Sequence, residues 1–247
     1  MLFRNFISLS KNISMLLLGL TLANTACTQS AKTTEKKKVN AEVAVIETDF
    51  GNIIIKFYDK EAPKHTENFK KLARAGFYDT LTFHRVIPGF MIQAGDPNSK
   101  DNDPYNDGRG GPGYTVPAEF NKKRFHKRGA LAAARQADQV NPRKESSGSQ
   151  FYIVQNGPVS LDVLKQMEAQ FKAAKPGFYF TNEQIDTYTT LGGTPFLDGE
   201  YTVYGEVVSG LDVIDKIAMV QTDPRNNRPV QNVIMKKVSI QTMEIEE

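Results

Sequence analysis

Apolar positions along this chain change period several times, and each change predicts an element. Ala44, Ile46 and Thr48 alternate with Val43, Val45 and Glu47, and residues 52–58 (NIIIKFY) are β-branched and aromatic. The turn-prone DFG between the two runs predicts a hairpin. Pro63 then stands at a favourable early helical position, and Thr66, Phe69, Leu72 and Ala73 recur at helical spacing until Gly76 ends the helix. His65 is expected on the surface of that helix. Residues 98–112 are polar and glycine-rich, hence a loop, and the basic run 121–128 (NKKRFHKR) reads as a solvated one. Residues 129–134 are small and apolar, and 149–154 suit a buried strand.

Further along, Leu161, Leu164, Met167 and Phe171 fall three or four apart, which predicts an amphipathic helix. Thr181 and Gln184 can form a capping box for a second helix carrying Ile185, Tyr188 and Leu191. Residues 202–208 read as a strand, 211–219 as a short helix and 233–244 as a closing strand, with Pro224 and Pro229 bounding a loop between the last two. No internal repeat interrupts this order.

The start of the chain has a different character. Arg4 and Lys11 precede or flank an apolar run, 13–23 (ISMLLLGLTLA), and no acid appears before Glu35. A basic region, a short apolar core and small residues read as a secretory signal over 1–26. The run is shorter than the ~18–20 residues a spanning helix needs. Cys27, the only cysteine, follows it in a position that resembles the acylated cysteine of bacterial lipoproteins. The alternative is a plain cleaved signal with an incidental cysteine. Residues 27–40 are polar and read as a flexible tether, which leaves 41–247 as one folded domain. With a single cysteine the domain can form no internal disulfide, so core packing must hold it. The balance of 31 basic against 28 acidic side chains implies no nucleic-acid partner.

Candidate chemistry concentrates in residues 83–97, FHRVIPGFMIQAGDP. In an extended segment Arg85, Met91 and Gln93 share one parity and line one surface, while Pro88-Gly89 supplies a bend. A cationic donor and an amide beside an apolar wall suit a neutral ligand with carbonyl groups, such as a peptide. Other sites are poorly supported. GRGG lacks the Lys-Ser/Thr ending of a phosphate loop. An EF-hand loop starting at Asp101 would need glycine and glutamate where Asn106 and Pro112 stand. His84 has no partner in a hydrolase pattern, and Cys27 precedes the domain, so neither a cysteine nucleophile nor a metal site is expected.

The stretch 83–97 resembles the signature of the cyclophilin-type peptidyl-prolyl isomerases. Further matches follow in the family's order: GRGGPGYTVPAEF (108–120), GALAAA (129–134), GSQFYI (148–153) and FLDGEYTVYGEVVSGLDVIDKI (196–217). The resemblance implies an all-β fold, a closed eight-stranded antiparallel barrel with two flanking helices. A helical insertion at about 157–194 makes this chain longer than compact members of the family. It ends beside Phe196 and Leu197, where it can either shape access to the pocket or pack sideways as decoration. The implied activity is isomerisation of Xaa-Pro bonds without metal or cofactor. Arg85 and Gln93 take the catalytic positions; Phe90, Met91, Ala134, Arg135, Tyr152, Phe196, Leu197 and Tyr201 take the substrate-binding ones.

The departures are specific. Tyr152 stands where many members have Phe, and its added hydroxyl needs water or a partner. Phe196 stands where some members carry Trp, Tyr201 where others carry His, and Arg135 where Asn is frequent. Combined with the N-terminal reading, the expectation is an exported monomeric isomerase, lipid-anchored through Cys27 and facing the periplasm. Its partners would be proline-containing peptides and unfolded envelope proteins. The rival is a peptide holder or chaperone on the same fold, with catalysis incidental.

Overall fold

A computed structural model describes residues 38–101 and 103–246. The segment read as a signal, Cys27 and most of the tether lie outside the described residues. The first strand, β1 (Lys38–Thr48), begins three residues before the expected domain start and turns through Asp49-Phe50 into β2 (Gly51–Phe57). Gly51 has φ +124°, a value that L side chains rarely adopt, so the DFG turn closes this hairpin at the one residue that tolerates it. Helix α1 (Pro63–Arg74) follows, with Pro63 in its first turn. Then come β3 (Arg85–Ile87), β4 (Met91–Ala94), β5 (Thr115–Val116), β6 (Ala130–Ala133), β7 (Ser146–Ser147) and β8 (Phe151–Val154). The insertion holds α2 (Leu161–Ala174) and α3 (Asn182–Thr190), and the chain ends with β9 (Val203–Ser209), α4 (Leu211–Ala218) and β10 (Lys237–Glu246).

The closed, all-β barrel is not what the chain forms. Eight strands make one antiparallel sheet in the order β10-β1-β2-β9-β6-β8-β4-β3, and its two edge strands are not paired with each other. Four α-helices accompany it among the described residues. The expected closing strand at 233–244 is divided. Residues 237–246 pair along β1, whereas Val233 and Met235 exchange isolated backbone bonds with the 80–83 segment. The Thr82–Ile234 contact is a single bridge. With β3 only three residues long, there is too little edge for a ladder to close the sheet.

One sheet face packs on the main core. Ile46, Ile53, Ile55, Ile92, Leu131, Phe151 and Ile153 meet Phe69 and Leu72 of α1 and Ile214 and Ile217 of α4. Phe69 stacks on Tyr78 at 4.7 Å and meets Phe151 edge-on at 5.4 Å. The other face carries Met91, Ala130, Ala132, Tyr152, Val154 and Val203. Period-two alternation along β4, β6 and β8 is what sends neighbouring residues to these two clusters. The insertion buries Leu164, Phe180 and Tyr188 in a small separate core together with Phe125 of the 121–128 run. The predicted capping box at Thr181 and Gln184 is present.

Two expectations about polar residues are corrected. His65 is not a surface residue: it is buried, with Nδ1 2.7 Å from Glu119 Oε2 and Nε2 2.9 Å from Ser146 Oγ. The run 121–128 is not simply solvated either, because Phe125 and His126 are buried within it. In both places a partner distant in sequence satisfies a polar group that its neighbours would have left in water.

Candidate active site

The hairpin β3–β4 sets the geometry. Its register places Arg85 opposite Gln93 and Ile87 opposite Met91, with a tight connection at 88–90 in which Gly89 has φ +71°. Residues directly opposite each other in an antiparallel pair project to the same side. The pairing continues across the sheet from Gln93 to Tyr152, from Tyr152 to Ala132 and from Ala132 to Val203. One row therefore crosses five strands on the face away from the main core, running from a cation through an amide and a phenol to small apolar side chains.

Arg85 Nη1 donates to Gln93 Oε1 at 3.2 Å, Gln93 Nε2 donates to Gln150 Oε1 at 3.1 Å, and Gln150 Nε2 donates to the Gly110 carbonyl at 2.8 Å. This chain of amides fixes which atom of Gln93 faces the guanidinium. Among the described residues Arg85 donates to one side-chain acceptor, Gln93, and a guanidinium has five N–H donors, so donors remain for a ligand. Partial burial lowers the Arg85 pKa, and Tyr201 opposes the shift; an arginine stays charged under such a perturbation.

A cavity of about 240 Å³ opens beside this pair, lined by Arg85, Phe90, Met91, Gln93, Ala134, Arg135, Tyr152, Leu197 and Tyr201. Met91 and Tyr152 are buried beneath it. Phe196 is the one sequence-predicted residue outside the lining. It stands at the rim, 46 % exposed, with its ring 5.7 Å from that of Phe90. Arg135 lays its guanidinium 4.6 Å from the Tyr201 ring and donates through Nε to the Glu200 carbonyl at 2.8 Å. It braces one wall rather than reaching into the space. A groove of about 780 Å³, lined by Arg109, Gly111, Tyr114, Gln136 and Arg143 among others, also includes Gly110, whose carbonyl Gln150 binds.

Three residues that sequence reasoning left unassigned support the site. Gln150 stands inside the GSQFYI motif and orients Gln93. His126 supplies the partner that the Tyr152 hydroxyl required, Nε2 to Oη at 3.0 Å, and Asp198 holds the other ring nitrogen at 2.9 Å. The signal for His126 was a Phe-His pair embedded in a cationic run just before an apolar strand. His84, next to Arg85, is buried, neither ring nitrogen finds a hydrogen-bond partner among the described residues, and burial depresses its pKa to about 4. A neutral, enclosed imidazole of this kind does not present a base to the cavity. Among the described residues no cluster of three or more His, Cys, Asp or Glu side chains is arranged to hold a metal ion.

Residues 43–240 match the family model described as cyclophilin type peptidyl-prolyl cis-trans isomerase/CLD. A Staphylococcus aureus (strain USA300) protein named as a peptidyl-prolyl cis-trans isomerase is 34 % identical over 200 residues, covering 80 % of this chain and 90 % of its own. A similarly named protein of Staphylococcus saprophyticus is 33 % identical over 199 residues, 79 % of this chain and 90 % of its own. Among solved structures, a Cryptosporidium parvum cyclophilin type peptidyl-prolyl cis-trans isomerase superposes with a TM-score of 0.60 at 22 % identity, over 83 % of this chain and 99 % of its own. A structure of that protein in the presence of the dipeptide Ala-Pro gives a TM-score of 0.59 at 23 % identity, over 81 % of this chain and 99 % of its own. These structural likenesses speak to the fold.

Proposed function

This chain belongs to the cyclophilin-type peptidyl-prolyl cis-trans isomerase family, and we propose that it turns Xaa-Pro bonds at the Arg85–Gln93 pair, acting on envelope proteins as they fold. A peptide bond resists rotation by ~18–20 kcal/mol because resonance gives it partial double-bond character. Before proline both isomers are populated and exchange over tens to hundreds of seconds. No covalent intermediate is required. In the twisted state resonance is lost and the prolyl nitrogen becomes pyramidal and basic. A guanidinium N–H aimed at that nitrogen stabilises the twisted state more than either planar isomer, and only such differential binding accelerates the step.

In this reading Met91, Tyr152, Phe90 and Leu197 hold the proline ring, and Gln93 orients Arg85 and receives the substrate's carbonyl region. The observation that carries it is the Arg85–Gln93 hydrogen bond across β3–β4 at the edge of the cavity. The presence of Ala-Pro with a protein of like fold supports a proline-containing ligand. NMR exchange spectroscopy on a short Ala-Pro peptide, with the full chain and its Arg85→Ala variant, tests the assignment. Peptide binding without faster exchange would favour the holder reading.

Export, attachment at Cys27 and action as a monomer on the periplasmic face belong to the same proposal and rest on the N-terminal sequence. Cys27→Ala should move the protein from the membrane fraction to the soluble one and abolish incorporation of labelled fatty acid. Unchanged membrane fractionation and labelling would remove the anchor from the proposal.

A further inference from the structure

The insertion packs into a small separate core, yet a partly buried hydrogen-bond chain joins it to the pocket. Asp198 accepts at Oδ2 from the Tyr188 hydroxyl at 2.7 Å and from Gln184 Nε2 at 3.2 Å, both on α3. Its Oδ1 accepts from the backbone N–H of His126 at 2.9 Å and lies 2.9 Å from His126 Nδ1. A carboxylate only accepts, so Nδ1 carries the proton and, in the neutral ring, Nε2 is left as an acceptor. The group that faces Nε2 at 3.0 Å is the Tyr152 hydroxyl. Burial holds the Tyr152 pKa well above its usual value, so the phenol keeps its proton and donates.

The same residues are fixed in other ways. The His126 carbonyl accepts from Thr194 N–H at 2.8 Å, where the insertion rejoins the sheet. The His126 and Tyr152 rings lie nearly parallel, 13° apart at 6.1 Å, and Tyr201 meets both edge-on at 6.4 and 5.8 Å. His126 is completely buried and Tyr188 likewise. Two of the cavity's walls, Tyr152 and Tyr201, thus rest on a ring whose orientation is dictated from α3.

We propose that Asp198 and His126 are positioning residues that tie the insertion to the pocket through the Tyr152 hydroxyl, so that the seating of α3 sets how tightly the pocket grips its proline-containing peptide. The proposal rests on the reading of this pocket as the isomerase site. Its physical content is a rigid phenol ring: with the hydroxyl anchored, less side-chain freedom is lost on binding than with a free ring. Breaking the chain at Asp198 should therefore weaken peptide binding and leave rotation of the bound peptide nearly untouched.

A double-mutant cycle tests this on the full chain, with kcat and KM measured by NMR on an Ala-Pro peptide. Asp198→Ala should raise KM about three- to tenfold, the range of one lost hydrogen bond, with kcat within about twofold. Asp198→Asn, which keeps one acceptor toward His126, should restore most of the loss. In a Tyr152→Phe background Asp198→Ala should add less than about twofold, because the link is already cut. An equal effect in both backgrounds, a fall confined to kcat, or no effect would overturn the proposal. Should Asp198→Ala not fold, Tyr188→Phe keeps the ring and removes one bond to Asp198. It should raise KM about twofold only where Tyr152 is present, and no difference between backgrounds would overturn the link. Arg85→Ala, run in parallel, separates the two readings: if it keeps full activity, the pocket assignment falls and this proposal with it. If it is inactive while the cycle shows no coupling, the relay alone is wrong.

Discussion

Replacing Arg85 by alanine is the perturbation on which the functional assignment turns. Rate acceleration of five decades corresponds to about 7 kcal/mol of differential stabilisation. A single donor aimed at developing charge in a partly enclosed site is worth about 3–4 kcal/mol, or a factor of roughly 10²–10³ in kcat. In the proposed mechanism Arg85 is that donor. It is half-buried, bonded on one side to Gln93 at 3.2 Å, and faces a cavity with Met91 and Tyr152 beneath. The remaining factor would come from holding the proline ring and its carbonyl, which alanine leaves in place. The cost to folding should be small. Arg85 makes no ion pair with a carboxylate among the described residues, and the shape of the main core does not depend on it. Arg85→Ala should therefore lower kcat/KM about 10²–10³-fold with a urea midpoint close to wild type. Arg85→Lys should recover only part of the rate, since an ammonium cannot serve Gln93 and substrate through one planar fork. The assay is two-dimensional exchange NMR on the peptide at several enzyme concentrations. A folded Arg85→Ala protein within about tenfold of wild type would refute the electrostatic argument.

Two further predictions concern the frame around the site. Gly95 joins β4 to the site loop at φ +91°, and a Cβ there would meet the Ser149 carbonyl oxygen at 2.2 Å. Gly95→Ala should cost about 3 kcal/mol or more from strain and clash together; a loss below about 1 kcal/mol in urea denaturation would show that the backbone yields. His84 predicts an acid-sensitive domain. Burial is the main cause lowering its pKa to about 4, with Arg228 and Arg85 adding to the shift and Asp96 opposing it. The folded pKa lies below the unfolded value of about 6.5, so the stability is fully present above that pH and is lost as pH falls toward 4. At pH 5 the loss should be about 2 kcal/mol. His65 is shifted the same way by burial and adds in the same direction. Denaturation at pH 7 and pH 5 measures this, and an apolar ring in His84→Phe should flatten the dependence; equal slopes in both proteins would refute the role of His84.

Much of the site was legible because it lies in short spans whose spacing carries its own geometry. Arg85 and Gln93 are eight positions apart with Pro88-Gly89 between them, and a hairpin of that length brings them face to face. The motifs of the resemblance located Met91, Tyr152, Leu197 and Tyr201, and the fold gathers them around one cavity. The insertion helices were legible for the same local reason: three-and-four spacing in α2 and a capping box before α3. Phe196, which the resemblance placed at the pocket rim, stands beside Phe90.

What the chain alone determined, then, was periodicity, turn chemistry and the order of its motifs, since each depends on residues within a few positions of one another. Tertiary structure decided everything that required a distant partner. His65 is buried because Glu119 meets it, and His126 because Asp198 and Tyr152 do. A basic run and a helix surface look solvated until such partners arrive. Whether the sheet closed was decided in the same way. Strand β10 satisfies its backbone along β1, while isolated bonds tie residues 80–83 to 233–235 and Val86 of β3 to Asn227, so the sheet stays open where the resemblance implied a barrel. Backbone hydrogen bonds are obligatory, but which strand supplies them is settled only when the whole chain has packed.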